Sequence, residues 1–337
     1  MRITAAAAGL AFAIAALGTQ AAAAGPAELK FGFYPPATSY VNTEGLTPWI
    51  ERVERASGGT LAIKLFPGPT LGTERNMYDR VLNNVVQVGY STLGQLASQF
   101  PRAQVSGLPF LSDDTGLSSM AYWRSFARGA FAREFDSVKV LALFNFPSSN
   151  LNTNKPVKVL EDIRGLKLAV SSRLGADATV AFGASPVTLV TTEFYEGLQR
   201  GVADGALSGW TAVKTFKLAE VTKDHLELPF GEAPAFVFMN KAAYAGLSPQ
   251  AKHAIDGNSG EALSKILGEN NAAQGRAESK TVAAEPGQTV VSLPAAEAAR
   301  WKERIEPVIA EWTKQTPDGA NVLAIYRAEL KQLGMEK

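Results

Sequence analysis

Between residues 160 and 210 the spacing of hydrophobic positions changes repeatedly, and each change marks an element. Residues 166–170 are a short apolar run behind Gly165, which predicts a strand entered through a turn. Residues 186–190 predict a second strand, which feeds a helix that Thr191 or Thr192 can cap. Phe194 and Leu198 are four apart and share one face of that helix. Gly201 can take the left-handed conformation that closes it. Residues 202–207 then begin another strand.

The same reading extends along the chain. Residues 28–33 predict a strand, 42–57 a helix with Leu46, Trp49, Ile50 and Val53 on one face, and 60–66 a second strand. That is a βαβ unit, whose parallel strands need a crossover helix. Thr73 can cap a helix with Met77, Val81 and Leu82 inward, and residues 85–90 follow as a strand. Residues 105–110 read as a strand end, 117–135 as helical and 138–144 as a strand. Residues 147–150 are a polar break, where the chain is expected to cross between lobes. Residues 213–218 read as helical, 221–228 as leading into a strand, and 236–240 and 241–247 as a strand and a short helix. A long helix is expected over 248–284, with a break near Gly257 and Asn258, then a strand over 289–293. The final helices carry Trp301, Ile305, Val308, Ile309 and Trp312 at helical spacing, which reads as a packing face. Met77, Val81, Asn84, Val85 and Gln87 are echoed at one constant offset by Phe194, Leu198, Gly201, Val202 and Asp204, each set an apolar helix face, a left-handed residue at the helix end and a strand, which fits two similar α/β lobes.

The segments Gly165–Val170 (GLKLAV), Thr192–Gly205 (TEFYEGLQRGVADG) and Leu71–Leu82 (LGTERNMYDRVL) resemble the pattern of the TRAP-transporter solute-binding proteins, the DctP family. The resemblance implies an α/β, two-lobe periplasmic-binding-protein-like fold of the type II-like, TRAP/DctP variant, with long C-terminal helices. It implies lobe I from 25–147 plus 234–273 and lobe II from 148–233 plus 274–337. It further implies a receptor that closes on a small organic solute and hands it to TRAP membrane subunits. No nucleic-acid partner and no cofactor are expected, and oligomeric state stays open. An exported enzyme on the same fold, or a receptor serving a sensor, are the alternatives.

The amino terminus fits export. Arg2, the apolar stretch 5–17 and Ala22-Ala23-Ala24 have the layout of a secretory signal peptide over residues 1–24, too short in its apolar part to span a bilayer comfortably. A periplasmic location is expected. Net charge is +1, which offers nothing to a polyanion, and the absence of cysteine removes thiolate chemistry. His225 and His253 are the two histidines; neither sits in a metal or triad pattern. Asp113-Asp114 reads as a solvated turn, and no Walker or dinucleotide motif occurs. The chain is not expected to be an enzyme.

The resemblance also places a ligand site. The family's usual grip on organic acids is an arginine in the strand after G-L-K, and here that position is Ala169. A desolvated carboxylate is costly unless paired, and guanidinium matches its two oxygens. Other family cleft positions fall on Thr92, Ser149 and Ser208, with Asn150 beside Ser149, and the aromatics Tyr34, Tyr90 and Trp210 lie nearby. These positions imply a pocket less cationic and more aromatic than the family norm, for a neutral solute or an aromatic acid. Arg173, four residues past Ala169, is the rival cation if its loop turns into the cleft.

Overall fold

A computed structural model describes residues 25–112 and 114–335. The expected signal peptide, Asp113 and the last two residues lie outside the described residues. In chain order the strands are β1 (Ala27–Phe33), β2 (Leu61–Pro67), β3 (Val88–Thr92), β4 (Val138–Phe146), β5 (Asn150–Thr153) and β6 (Lys167–Val170). They continue as β7 (Ser185–Thr188), β8 (Gly205–Ser208), β9 (Asp224–Glu227), β10 (Ala233–Asn240) and β11 (Thr289–Ser292). Two mixed sheets result, ordered β2-β1-β3-β10-β4 and β11-β9-β5-β8-β6-β7.

The βαβ unit forms as the spacing predicts. β1 and β2 are parallel, with Phe31 opposite Leu65, and the helix Thr47–Ala56 crosses between them with Trp49, Ile50 and Val53 buried. A π-helical turn, Val41–Leu46, precedes that helix. The left-handed residues of the internal echo also form: Asn84 has φ +56° and Gly201 has φ +68°, and each leads into a strand, β3 and β8. The turn in front of each strand sets the next element's direction, so the two lobes present matching strand ends.

Some boundaries differ. Residues 102–107 are 3-10 helix rather than strand, and Phe110 has φ +59°. Leu82 is exposed at 36%, because the helix Met77–Leu82 ends as that residue turns outward. Asp114, in the expected solvated turn, caps the helix Thr115–Ala127 by accepting from the Leu117 N–H at 3.0 Å. The long helix breaks as Pro249–Gly257 and Glu261–Ala284, with Gly260 at φ +77° between them.

Each sheet has its own core. Phe31, Trp49, Phe100, Phe144 and Phe236 fill the first. Leu168, Phe182, Leu226, Trp301 and Ile305 fill one side of the second sheet, and Ala169, Phe194, Ala206 and Trp210 the other. The chain passes between lobes at residues 146–150 and again at 228–233. Helix Glu261–Ala284 contributes Leu263 and Leu267 to the first core and Val282 to the second lobe's outer cluster. Helix Ala295–Gln315 reverses this course, with Trp301 in the second lobe and Trp312 in the first. Helix Gly319–Gln332 packs Val322, Leu323, Tyr326 and Leu330 into the first core. The expected partition placed residues 274–337 with lobe II; the tail instead covers lobe I, with Tyr326 edge-on to Tyr122 at 6.5 Å. Periodicity reveals that a helix has an apolar face, but not which surface the face covers.

Candidate functional site

The strand ends of both sheets converge on a cleft of about 1110 Å³, counting the space open to solvent. Parallel strands bring it about: β1 ends just before Tyr34, β6 just before Ser171, and such carboxyl ends border crevices in α/β sheets. Tyr90 and Thr92 come from β3, Ser208 from β8, and the two crossings supply Ser149 and Glu232.

A buried carboxylate lies at the seam. Glu74 is 2% exposed and bridges the lobes: Oε1 accepts from the Thr92 hydroxyl at 2.9 Å, and Oε2 from the Thr191 N–H at 3.0 Å. Burial raises its carboxyl above the ordinary 4.5, while the Thr92 and Thr191 hydrogen bonds and Arg75 pull the other way. Gln95 Nε2 donates to the Ser171 carbonyl at 3.0 Å, and Arg75 pairs with Glu193 at 2.8 Å across the same seam. Gly94 fits closely here: a Cβ on it would lie 2.8 Å from the Ser171 carbonyl oxygen.

Tyr34 and Tyr90 have ring centroids 5.3 Å apart. Burial pushes both hydroxyls far above their ordinary values, so both stay protonated. The Tyr34 hydroxyl is buried beside Thr92 and Tyr90 but makes no hydrogen bond of normal geometry. Phe146, Phe194, Phe216 and Phe230 complete an aromatic lining. Among the described residues, no Lys, Arg or His lines the cleft.

Of the positions singled out from sequence, Tyr34, Tyr90, Thr92, Ser149 and Ser208 line the cleft. Ser208 is held by Asn152, whose Nδ2 donates to its carbonyl at 3.0 Å and to its hydroxyl at 3.1 Å. Asn150, Arg173 and Trp210 lie outside the lining. Asn150 is buried at the start of β5. Trp210 donates from Nε1 to Glu227 at 2.8 Å and lays its ring on His225. Arg173 is solvent-exposed and pairs with Asp177 at 3.0 Å, so it does not occupy the place left by Ala169, which is itself fully buried. His225 sits between Asn152 and Gln288 in the second sheet, His253 is exposed, and neither lines the cleft.

Glu74, Thr191, Gln104 and Glu232 line the cleft without having been singled out. For the first two a signal existed. Glu74 and Thr191 are 117 residues apart, the offset of the internal echo, so the repeated geometry brings equivalent positions of the two lobes face to face.

Comparison with known proteins decides the family. The model of the bacterial extracellular solute-binding proteins, family 7 (DctP), matches residues 32–315. The chain belongs to this family. The C4-dicarboxylate-binding periplasmic protein DctP of Vibrio cholerae is 26% identical over 285 residues, 81% of this chain and 82% of that one. A TRAP solute-binding protein of Rhodoferax ferrireducens, solved with copurified benzoate, superposes with a TM-score of 0.87 at 28% identity, over 91% of this chain and 98% of its own. One from Bordetella bronchiseptica, with bound (R)- and (S)-mandelate, gives 0.84 at 28% identity, over 91% and 100%. As a DctP-family protein this chain captures a small organic solute between its lobes.

Proposed function

We propose that this protein is exported, binds a small aromatic solute in the interlobe cleft and delivers it to TRAP membrane subunits, without converting it chemically. The observation that carries the reading is the cleft wall: six aromatic side chains, Tyr34, Tyr90, Phe146, Phe194, Phe216 and Phe230, with no cationic side chain among the described lining residues. Flat apolar surface of this kind favours offset or edge-on ring contacts. The ring-bearing ligands of the benzoate and mandelate structures support the same class. Family membership supports export and a TRAP partner, and among the described residues no helix is long and apolar enough to cross a membrane.

Binding follows from closure. In the closed arrangement Glu74, Gln95 and Arg75 bridge to the second lobe. A solute touching both walls favours that arrangement by its differential contacts with the closed state. Thermal shift against ring-bearing and aliphatic solutes tests the class, with chromatography of each incubated solute testing for conversion. Exclusive binding of aliphatic dicarboxylates overturns the aromatic reading, and turnover of the bound solute overturns the receptor reading.

A further inference from the structure

The charge inventory of the cleft narrows the solute further. Glu74 is buried, at 2% exposure, and lines the cleft. The cations next in sequence to lining residues are paired elsewhere: Arg75 with Glu193, Arg173 with Asp177, Lys214 with Glu278 and Lys217 with Glu220. A carboxylate has about four acceptor sites, and Glu74 accepts from the Thr92 hydroxyl and the Thr191 N–H, with the Thr191 hydroxyl at a marginal 3.5 Å. Acceptor capacity is left over. The buried Tyr34 hydroxyl, without a full hydrogen bond, adds an independent unmet polar group on the same wall.

We infer that the cleft selects a protonated amine carried on a small aromatic body, the ammonium facing Glu74 and Tyr34 and the ring lying among the aromatic side chains. The inference rests on the solute-capture reading above. A free carboxylate would enter beside the Glu74 carboxylate with no cation among the described lining residues to receive it, in surroundings where charge is poorly screened. An ammonium is opposite in charge to the Glu74 carboxylate, donates to it and gains from neighbouring ring faces.

The test is calorimetric titration of the purified protein at neutral pH with benzylamine, benzyl alcohol and benzoate, three probes of similar shape and different charge. Charge-assisted hydrogen bonds are roughly twice as strong as neutral ones, so benzylamine should bind about 10-fold tighter than benzyl alcohol. Benzoate should bind weakest. Glu74→Gln should collapse the amine-to-alcohol ratio to about 3 or less. Because Glu74 also bridges the lobes, a readout on the unmodified protein stands beside the variant. At mildly acidic pH, in two buffers of different ionisation heat, amine binding should release protons and an anion should take them up. Tyr34 and Tyr90 also face Glu74 but stay protonated through burial; Arg75, its neighbour in the chain, acts on it, and Glu232 lines the same cleft. Benzoate as the tightest probe, proton uptake with the amine, or an unchanged ratio in Glu74→Gln overturns the inference and leaves the aromatic reading standing. Failure of all three probes to bind overturns the aromatic reading and the inference together.

Discussion

Gly94→Ala separates closure from folding. Gly94 opens a short helical turn after β3 in the first lobe, where alanine is accommodated at least as well as glycine. The new methyl would lie 2.8 Å from the Ser171 carbonyl oxygen and 3.0 Å from the Ser172 Cβ, both across the seam, whereas ordinary contact begins at 3.4 Å. The obstacle is backbone, so the lobes must part by about half an ångström or more. Parting strains the Gln95–Ser171 and Glu74–Thr191 hydrogen bonds, each 3.0 Å long. A neutral hydrogen bond contributes about 1 kcal/mol and one to a charged group about 1.5–3, so their partial loss costs about 2–3 kcal/mol of closure. That converts to a Kd raised about 30- to 150-fold. Titration calorimetry reads the affinity, and small-angle scattering of the ligand-saturated variant reads the separation of the lobes. Urea unfolding of the ligand-free variant should stay within about 0.5–1 kcal/mol of the parent. A Kd within about 3-fold of the parent would refute the claim that this seam must close tightly for binding.

Three further outcomes follow from burial and backbone geometry. Burial raises the Glu74 carboxyl above 4.5, so the stability this group contributes is present below pH 4.5 and lost as pH rises through the raised value. The stability of Glu74→Gln relative to the parent should therefore climb with pH above 4.5, and urea melts showing a pH-independent difference would contradict the assignment. Gly231→Ala forces a residue at φ +110° and sets a Cβ 2.3 Å from the Gly107 carbonyl oxygen. It should cost at least about 2 kcal/mol in chemical unfolding, and a cost under about 0.5 would show that this crossing relaxes freely. Trp301→Ala empties a fully buried site where the indole meets Phe182 at 4.8 Å and Phe230 at 5.6 Å. It should cost about 3–5 kcal/mol by urea unfolding, and hydrogen exchange should place the loss in the second lobe; loosening confined to the first lobe would contradict the division of the cores.

Local pattern determined much of this protein. Alternation and helical spacing predicted the βαβ unit around Trp49 and the return strand at 236–240. The echo of Asn84 in Gly201 predicted paired left-handed turns, because period and backbone preference are properties of a few adjacent residues. The family resemblance placed Ala169 at the usual arginine position and pointed to eight cleft positions, of which Tyr34, Tyr90, Thr92, Ser149 and Ser208 line the cleft and Asn150, Arg173 and Trp210 do not. The long-range pairings came from packing. Arg173 spends its charge on Asp177, four residues away on its own helix; Trp210 turns to Glu227 and His225; the last helix returns to the first lobe. Glu74, an unremarkable acid in a polar stretch, becomes a buried bridge only because two lobes built on the same plan bring positions 117 residues apart into contact. Burial and charge pairing depend on which surfaces meet, and that is settled by packing between segments whose local patterns carry no record of one another.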